Sequence, residues 1–98
     1  MQQYALVAYD YTDDGALDRR LACREAHLEG IRELVRLGNF ISGGAIVDDE
    51  GKMIGSNVHC QFDNRSELDA WLERDPYVTQ KVWEHIEIRT VKLVDLGA

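Results

Sequence analysis

Strand-like and helical patterns alternate along the chain in the order β-α-β-β-α-β, which predicts an α+β fold with an antiparallel sheet. Three observations carry that expectation. The run Gln3 to Tyr11 is strand-like and apolar on both alternating faces. From about residue 14 to 37 the apolar residues fall at helical spacing. Two further strand-like runs, Phe40 to Val47 and Ile54 to Phe62, are joined as a hairpin by the turn Asp48-Asp49-Glu50-Gly51. A chain of 98 residues has no room for a second core, so residues 1–98 are expected to form a single domain.

In the first run Tyr4, Leu6 and Ala8 point one way and Ala5, Val7 and Tyr9 the other. A strand apolar on both faces is covered on both. The chain's own helices supply one cover. A second subunit is the expected source of the other, giving a homodimer packed through its sheet face. Asp13-Asp14-Gly15 brings turn chemistry and acidic residues suited to a helix N-terminus. The helix that follows carries Leu17, Leu21, Leu28, Ile31, Leu34 and Val35, and Gly38-Asn39 stops it.

The second strand is interrupted by Ser42-Gly43-Gly44, where glycines mark a bulge or a close approach of backbone. In the third, Val58, Cys60 and Phe62 share one face and Asn57, His59 and Gln61 the other. Asn64-Arg65-Ser66 opens a second helix. Ser66 and Asp69 are spaced as a variant capping box, and Leu68, Trp71 and Leu72 form the buried face. Asp75-Pro76 ends or redirects it. The last strand is expected over Trp83 to Val94. Ile86 and Ile88 share one side and Val91 and Leu93 the other, so a bulge is expected near Thr90. The whole order is that of the ferredoxin-like fold.

Composition excludes several functions. Lys and Arg total 11 against 18 Asp and Glu, a net charge of −7. Without a run of Lys or Arg there is no basic face for nucleic acid or an anionic membrane. No window approaches the roughly 18 apolar residues of a spanning helix, and Met1-Gln2-Gln3 leads straight into a strand instead of a secretory signal. Cys23 and Cys60 lack the spacing of a zinc site or a disulfide framework, so a reducing cytoplasm is the expected location. His27, His59 and His85 have no short ligand spacing, and no nucleotide-binding glycine motif is present. Neither metal nor cofactor is expected.

The long helix holds the residues of most chemical interest. At about 100° per residue, Arg24 falls near the centre of the stripe of Leu17, Leu21, Leu28, Ile31 and Val35, with His27 on its flank. A guanidinium and an imidazole facing inward need partners. In one reading Arg24 pairs with a nearby carboxylate and His27 is a satisfied boundary histidine. In the other, Arg24 binds an anionic group and His27 transfers a proton. The pattern alone favours the first. Asp75 divides the same way: it caps a short turn before Pro76, and its oxygens have capacity to hold a nitrogen of His27 as well. Ser42, Gly43 and Gly44 are weaker candidates, as a bulge or as a backbone wall for a ligand. His59, Trp83, His85, Glu87 and Arg89 line an interface or face solvent.

Arg24-Glu25-Ala26-His27-Leu28 resembles the R-x-x-H-L segment of the YciI-like proteins, a family of small bacterial domains. Phe40-Ile41-Ser42-Gly43-Gly44 resembles that family's strand with a glycine step. Gly55-Ser56 and the strand to Phe62, then Asp75-Pro76-Tyr77-Val78, are similar to its later segments. The resemblance runs in order over essentially the whole chain. It implies a dimeric α+β barrel, an architecture shared with muconolactone isomerase, in a family that includes a dehydrochlorinase of chlorinated hydroquinone breakdown. It also implies an active-site His and Asp, here His27 and Asp75. Glu25 stands where the family often has proline and puts a carboxylate beside Arg24. The function this implies is cofactor-independent proton transfer on a small molecule, of lyase or isomerase type. His27 would be acid and base, held by Asp75, with Arg24, Ser42, Gly43, Gly44 and Tyr77 forming the substrate site. The alternative expectations are a non-catalytic dimeric ligand-binding or accessory domain, and a cofactor-free oxygenase.

Overall fold

The structure is a computed structural model and describes residues 1–97. Its elements are β1 (Gln2–Asp10), α1 (Ala16–Arg36), β2 (Phe40–Val47), β3 (Met53–Phe62), α2 (Arg65–Arg74), α3 (Pro76–Thr79) and β4 (Trp83–Val91). The four strands pair antiparallel in the order β2-β3-β1-β4, the ferredoxin-like arrangement. One face of the central strands carries the core. Tyr4, Leu6 and Ala8 of β1 and Val58, Cys60 and Phe62 of β3 pack under Leu34 of α1 and Leu68 and Trp71 of α2. On the other face Ala5, Val7 and Tyr9 lie beside His59, Asn57 and Gly55 of β3 and Arg89, Glu87 and His85 of β4. That face is partly exposed, with Tyr9 at 48%. Among the described residues no helix is long and apolar enough to cross a membrane.

Local chemistry accounts for most element ends. Gly38 takes the left-handed conformation, φ 77°, and Asn39 N returns to Leu34 O to close α1. The cap of α2 is Asn64 and not Ser66: Asn64 Oδ1 accepts from Glu67 N at 3.1 Å, while Ser66 Oγ donates to the same oxygen at 2.6 Å. Asn competes as well as Ser for that position, and Asp69 is taken instead by Arg65 one turn away. β4 ends at Val91 and runs past Thr90 without a bulge. Its register with β1 is regular from Tyr9–His85 to Gln3–Val91 and shifts at the other end, between Tyr9 and Asp10. Val91 is an apolar residue on the open sheet face, which mimics a change of parity.

The largest departure from expectation is the rotation of α1. Its buried residues are Ala16, Arg20, His27 and Leu34, whereas Arg24 is exposed and Leu21 and Val35 are 50% and 55% exposed. At about 100° per residue the buried stripe lies roughly a quarter-turn around the helix from the leucine stripe. Arg20 explains the rotation. Its Nη1 lies 2.9 and 3.0 Å from the two oxygens of Asp10 at the end of β1, and the two side chains are 4% and 5% exposed. Burial pushes the Asp10 carboxyl above its ordinary range, against the opposing pull of Arg20.

Two stability predictions follow from these contacts. A Cβ on Gly55 would sit 2.4 Å from Ala8 O, whereas one on Gly44 meets nothing within 4 Å. Gly55→Ala is therefore expected to cost roughly 1–3 kcal/mol and Gly44→Ala less than about 0.5 kcal/mol in urea unfolding; equal midpoints would refute the close approach. Asp10→Ala strands a buried guanidinium and is expected to cost roughly 3–5 kcal/mol. The double change Asp10→Leu with Arg20→Met should recover much of that loss, and a double variant no more stable than Asp10→Ala would show that the pair is not what seats α1.

Candidate active site

His27 lies on the buried stripe of α1, two turns beyond Arg20. Its partner comes from the junction of α2 and α3. Asp75 is extended because the residue before a proline is pushed out of the helical region. Its N donates to Leu72 O, closing α2, and its Oδ1 accepts from Tyr77 N at 2.9 Å, opening α3. The same carboxylate, with a side chain 1% exposed, lies 2.8 and 2.7 Å from His27 Nδ1 through its two oxygens. Cap and histidine partner are thus one group, within the acceptor capacity of a carboxylate. With Nδ1–H donating to Asp75, the neutral ring keeps its lone pair on Nε2.

Aromatic packing holds the imidazole in place. Tyr77 stacks on His27 with centroids 3.9 Å apart and planes at 10°. Trp83 meets both rings edge-on, at 5.7 and 5.4 Å. The guanidinium of Arg20 lies 4.8 Å from the Tyr77 centroid, so the phenol ring stands between the two inward residues of α1. Burial pushes the Tyr77 hydroxyl up, keeping it neutral near pH 7. Ser56 Oγ joins the group by accepting from Arg20 Nη2 at 2.9 Å and from Trp83 Nε1 at 3.1 Å.

His27 opens onto a cavity of about 150 Å³ between α1 and the β2 edge of the sheet. Arg24, Gly43, Gly44 and Ser56 are among its walls. Larger recesses of about 270 and 310 Å³ lie beside Lys52 and Trp71, and His27 lines neither. Gly43 has no room for a side chain, because a Cβ there would sit 2.8 Å from Asn57 O and 3.3 Å from the Phe40 ring.

The candidates from the sequence therefore separate. His27 and Asp75 are hydrogen-bonded, and Arg24, Gly43 and Gly44 share the cavity with His27. Arg24 does so from an exposed position and not as a buried cation, and Glu25 pairs with Arg32 at 2.8 Å. Tyr77 supports the imidazole ring and is not among the cavity walls. Ser42 belongs elsewhere: a register shift after Phe40 turns it to the open sheet face, where its Oγ lies 3.2 Å from His59 Nδ1. Cys60 is fully buried with its thiol pushed up to about 11, which removes it as a nucleophile at neutral pH. Sequence reasoning missed Asp10, Arg20 and Ser56, and it set Trp83 at an interface or in solvent, whereas Trp83 is buried against His27 and Tyr77 because it begins β4 on the core side of the sheet. The one signal was the seven-residue interval from Arg20 to His27, two turns on one helix face.

The chain matches the YCII-related domain over residues 3–92. It is 34% identical over 97 residues to protein YciI of Escherichia coli O6:H1, covering 93% of this chain and 97% of that one. Among solved structures it is similar to TftG, the 5-chloro-2-hydroxyhydroquinone dehydrochlorinase of Burkholderia phenoliruptrix AC1100, in complex with 2,5-dihydroxybenzoquinone. There the TM-score is 0.79 at 20% identity, covering 92% of this chain and 93% of the other. A dimeric ferredoxin-like protein from Jannaschia sp. CCS1 matches with TM-score 0.53 at 16% identity, over 95% of this chain and all of its own. The structural likenesses establish the fold, and the sequence matches establish more: this chain belongs to the YCII-related domain family.

Proposed function

We propose that this protein is a small-molecule enzyme in which His27, held by Asp75, carries out cofactor-independent proton transfer of lyase or isomerase type. The supporting observation is the buried Nδ1–Asp75 contact at 2.7–2.8 Å in a ring that also lines a cavity. The carboxylate fixes the tautomer, leaves Nε2 as the base, and stabilises the imidazolium once a proton is taken. The Tyr77 stack restrains ring rotation, so the base keeps its aim through the cycle. Returning the proton to another atom gives isomerisation; returning it to a departing group gives elimination. Arg24 at the cavity mouth attracts an anionic substituent, and Gly43 and Gly44 form a wall of backbone. The quinone bound by TftG makes hydroxylated aromatics and quinones the first compounds to screen.

The dimer belongs to the same proposal. The open sheet face carries Val7, Tyr9, Ile46 and Val91, and a second copy packed there would give β1 its second cover. The two cysteines are free, in keeping with a reducing cytoplasm.

His27→Gln, whose amide can still donate to Asp75, is expected to lower turnover by roughly 10²–10⁴-fold with the near-ultraviolet circular dichroism unchanged. Asp75→Asn retains an oxygen for the Tyr77 cap, so it should lower turnover as well and change the His27 tautomer seen by nitrogen-15 NMR. Undiminished turnover in folded His27→Gln would remove His27 as the base, whereas no turnover by the wild-type protein across that screen would leave a non-catalytic binding domain as the reading. For the assembly, sedimentation equilibrium is expected to give twice the 11.2 kDa of one chain, and Val7→Lys to shift it toward the monomer.

A further inference from the structure

We infer that the groove between α1 and α2 is a second ligand site, separate from the His27 cavity, for a small molecule that carries one carboxylate on an apolar body. It stands whether or not His27 transfers protons. The groove holds about 310 Å³, at the lower end of the range for small-molecule sites, and shares no wall residue with the cavity. Its apolar walls include Ala26, Leu37 and Pro76, with Leu37 61% exposed, so a hydrocarbon seated there removes water from both surfaces.

Two groups in the groove lack the partner their chemistry calls for. Trp71 is 6% exposed, and its Nε1 faces Gly30. The indole of Trp83 donates to Ser56 Oγ, whereas no atom among the described residues accepts from Trp71 Nε1. A largely buried N–H costs free energy until something accepts it. Arg74 is the other group. Arg65, at the start of the same helix, pairs with Asp69, but no carboxylate among the described residues lies within ion-pair reach of Arg74. An indole N–H and a guanidinium only donate. The missing partner is therefore an acceptor and, beside a cation, an anionic one. The two carboxylates on the walls are already engaged, Glu33 with Arg36 and Asp75 with His27 and Tyr77 N. One cation is left over, which matches a single negative charge and not the two of a phosphate. Gly30 keeps the indole N–H reachable. Glycine inside a helix is less favourable than alanine, and packing does not require it here, because a Cβ would meet only Trp71 Nε1 at an ordinary 3.9 Å. A longer side chain would cover that donor.

Octanoate is the probe, read by the two indole N–H resonances in proton–nitrogen NMR of the whole chain. Titration is expected to move the Trp71 signal downfield as its proton gains an acceptor, with a roughly millimolar Kd, and to leave the Trp83 signal in place. An unmoved Trp71 signal overturns the inference, and so does movement of the Trp83 signal alone, which would put the anion in the His27 cavity. Arg74→Gln should weaken binding roughly 5-fold, the worth of one exposed charge contact. 1-Octanol, with the same chain and no carboxylate, should bind more weakly by at least about that factor; equal affinities for the two probes would refute carboxylate recognition. Gly30→Leu, a change toward a better helix former, should abolish the Trp71 shift, and unchanged binding in that variant would show that the groove is not the site. The wild-type titration decides by itself if a variant does not fold.

Discussion

Arg20 and His27 lie two turns apart on the inward face of α1, and each is buried against a carboxylate from a different part of the chain. Asp10 ends β1 and Asp75 joins α2 to α3, so the two pairs fasten the long helix to the sheet at one point and to the neighbouring helices at another. The Tyr77 ring fills the interval between Arg20 and His27, and Trp83 closes the side. Burying a guanidinium without its partner costs several kcal/mol, which few other rotations of α1 would avoid. The helix orientation, and with it the direction of the His27 ring, depends on this column of paired groups more than on its leucines.

That orientation creates the cavity. With the buried stripe turned toward β1 and α3, the adjoining face of α1 with Arg24 and Leu28 overhangs the edge strand β2. Gly43 lets that strand come close, because no side chain fits between its backbone and β3. The result is a small recess with a carboxylate-held imidazole on one wall, a hydroxyl that accepts two N–H groups on another and an exposed guanidinium at the mouth.

Much of the fold was legible because its signals are local. Period-two runs marked the strands, Gly38 marked the end of α1, and the turn after Val47 marked the hairpin. Asp75 was legible too, since a cap before proline reads from three consecutive residues. The errors share a different character. Ser66 and Asn64 are equally good caps on paper, and only the direction of the incoming chain chose between them. Val91 reads as a parity switch unless it is known that the sheet has an open face. Ser42 and Gly43 serve opposite faces as neighbours on a strand do, but a register shift after Phe40 decides which of them faces the cavity.

The sequence by itself determined the order of elements, the antiparallel topology and the family, since these follow from hydrophobic period, turn residues and ordered short motifs. Tertiary structure alone decided which face of α1 points inward. A hydrophobic pattern ranks Leu21 above Arg20, yet Arg20 is buried and Leu21 half exposed. The ranking fails because a charge's cost of burial is set by its partner, and Asp10 is ten residues away in the chain but 2.9 Å away in space. The same reason hid Ser56: its role comes from two donors on separate elements, and no spacing in the sequence records that they meet.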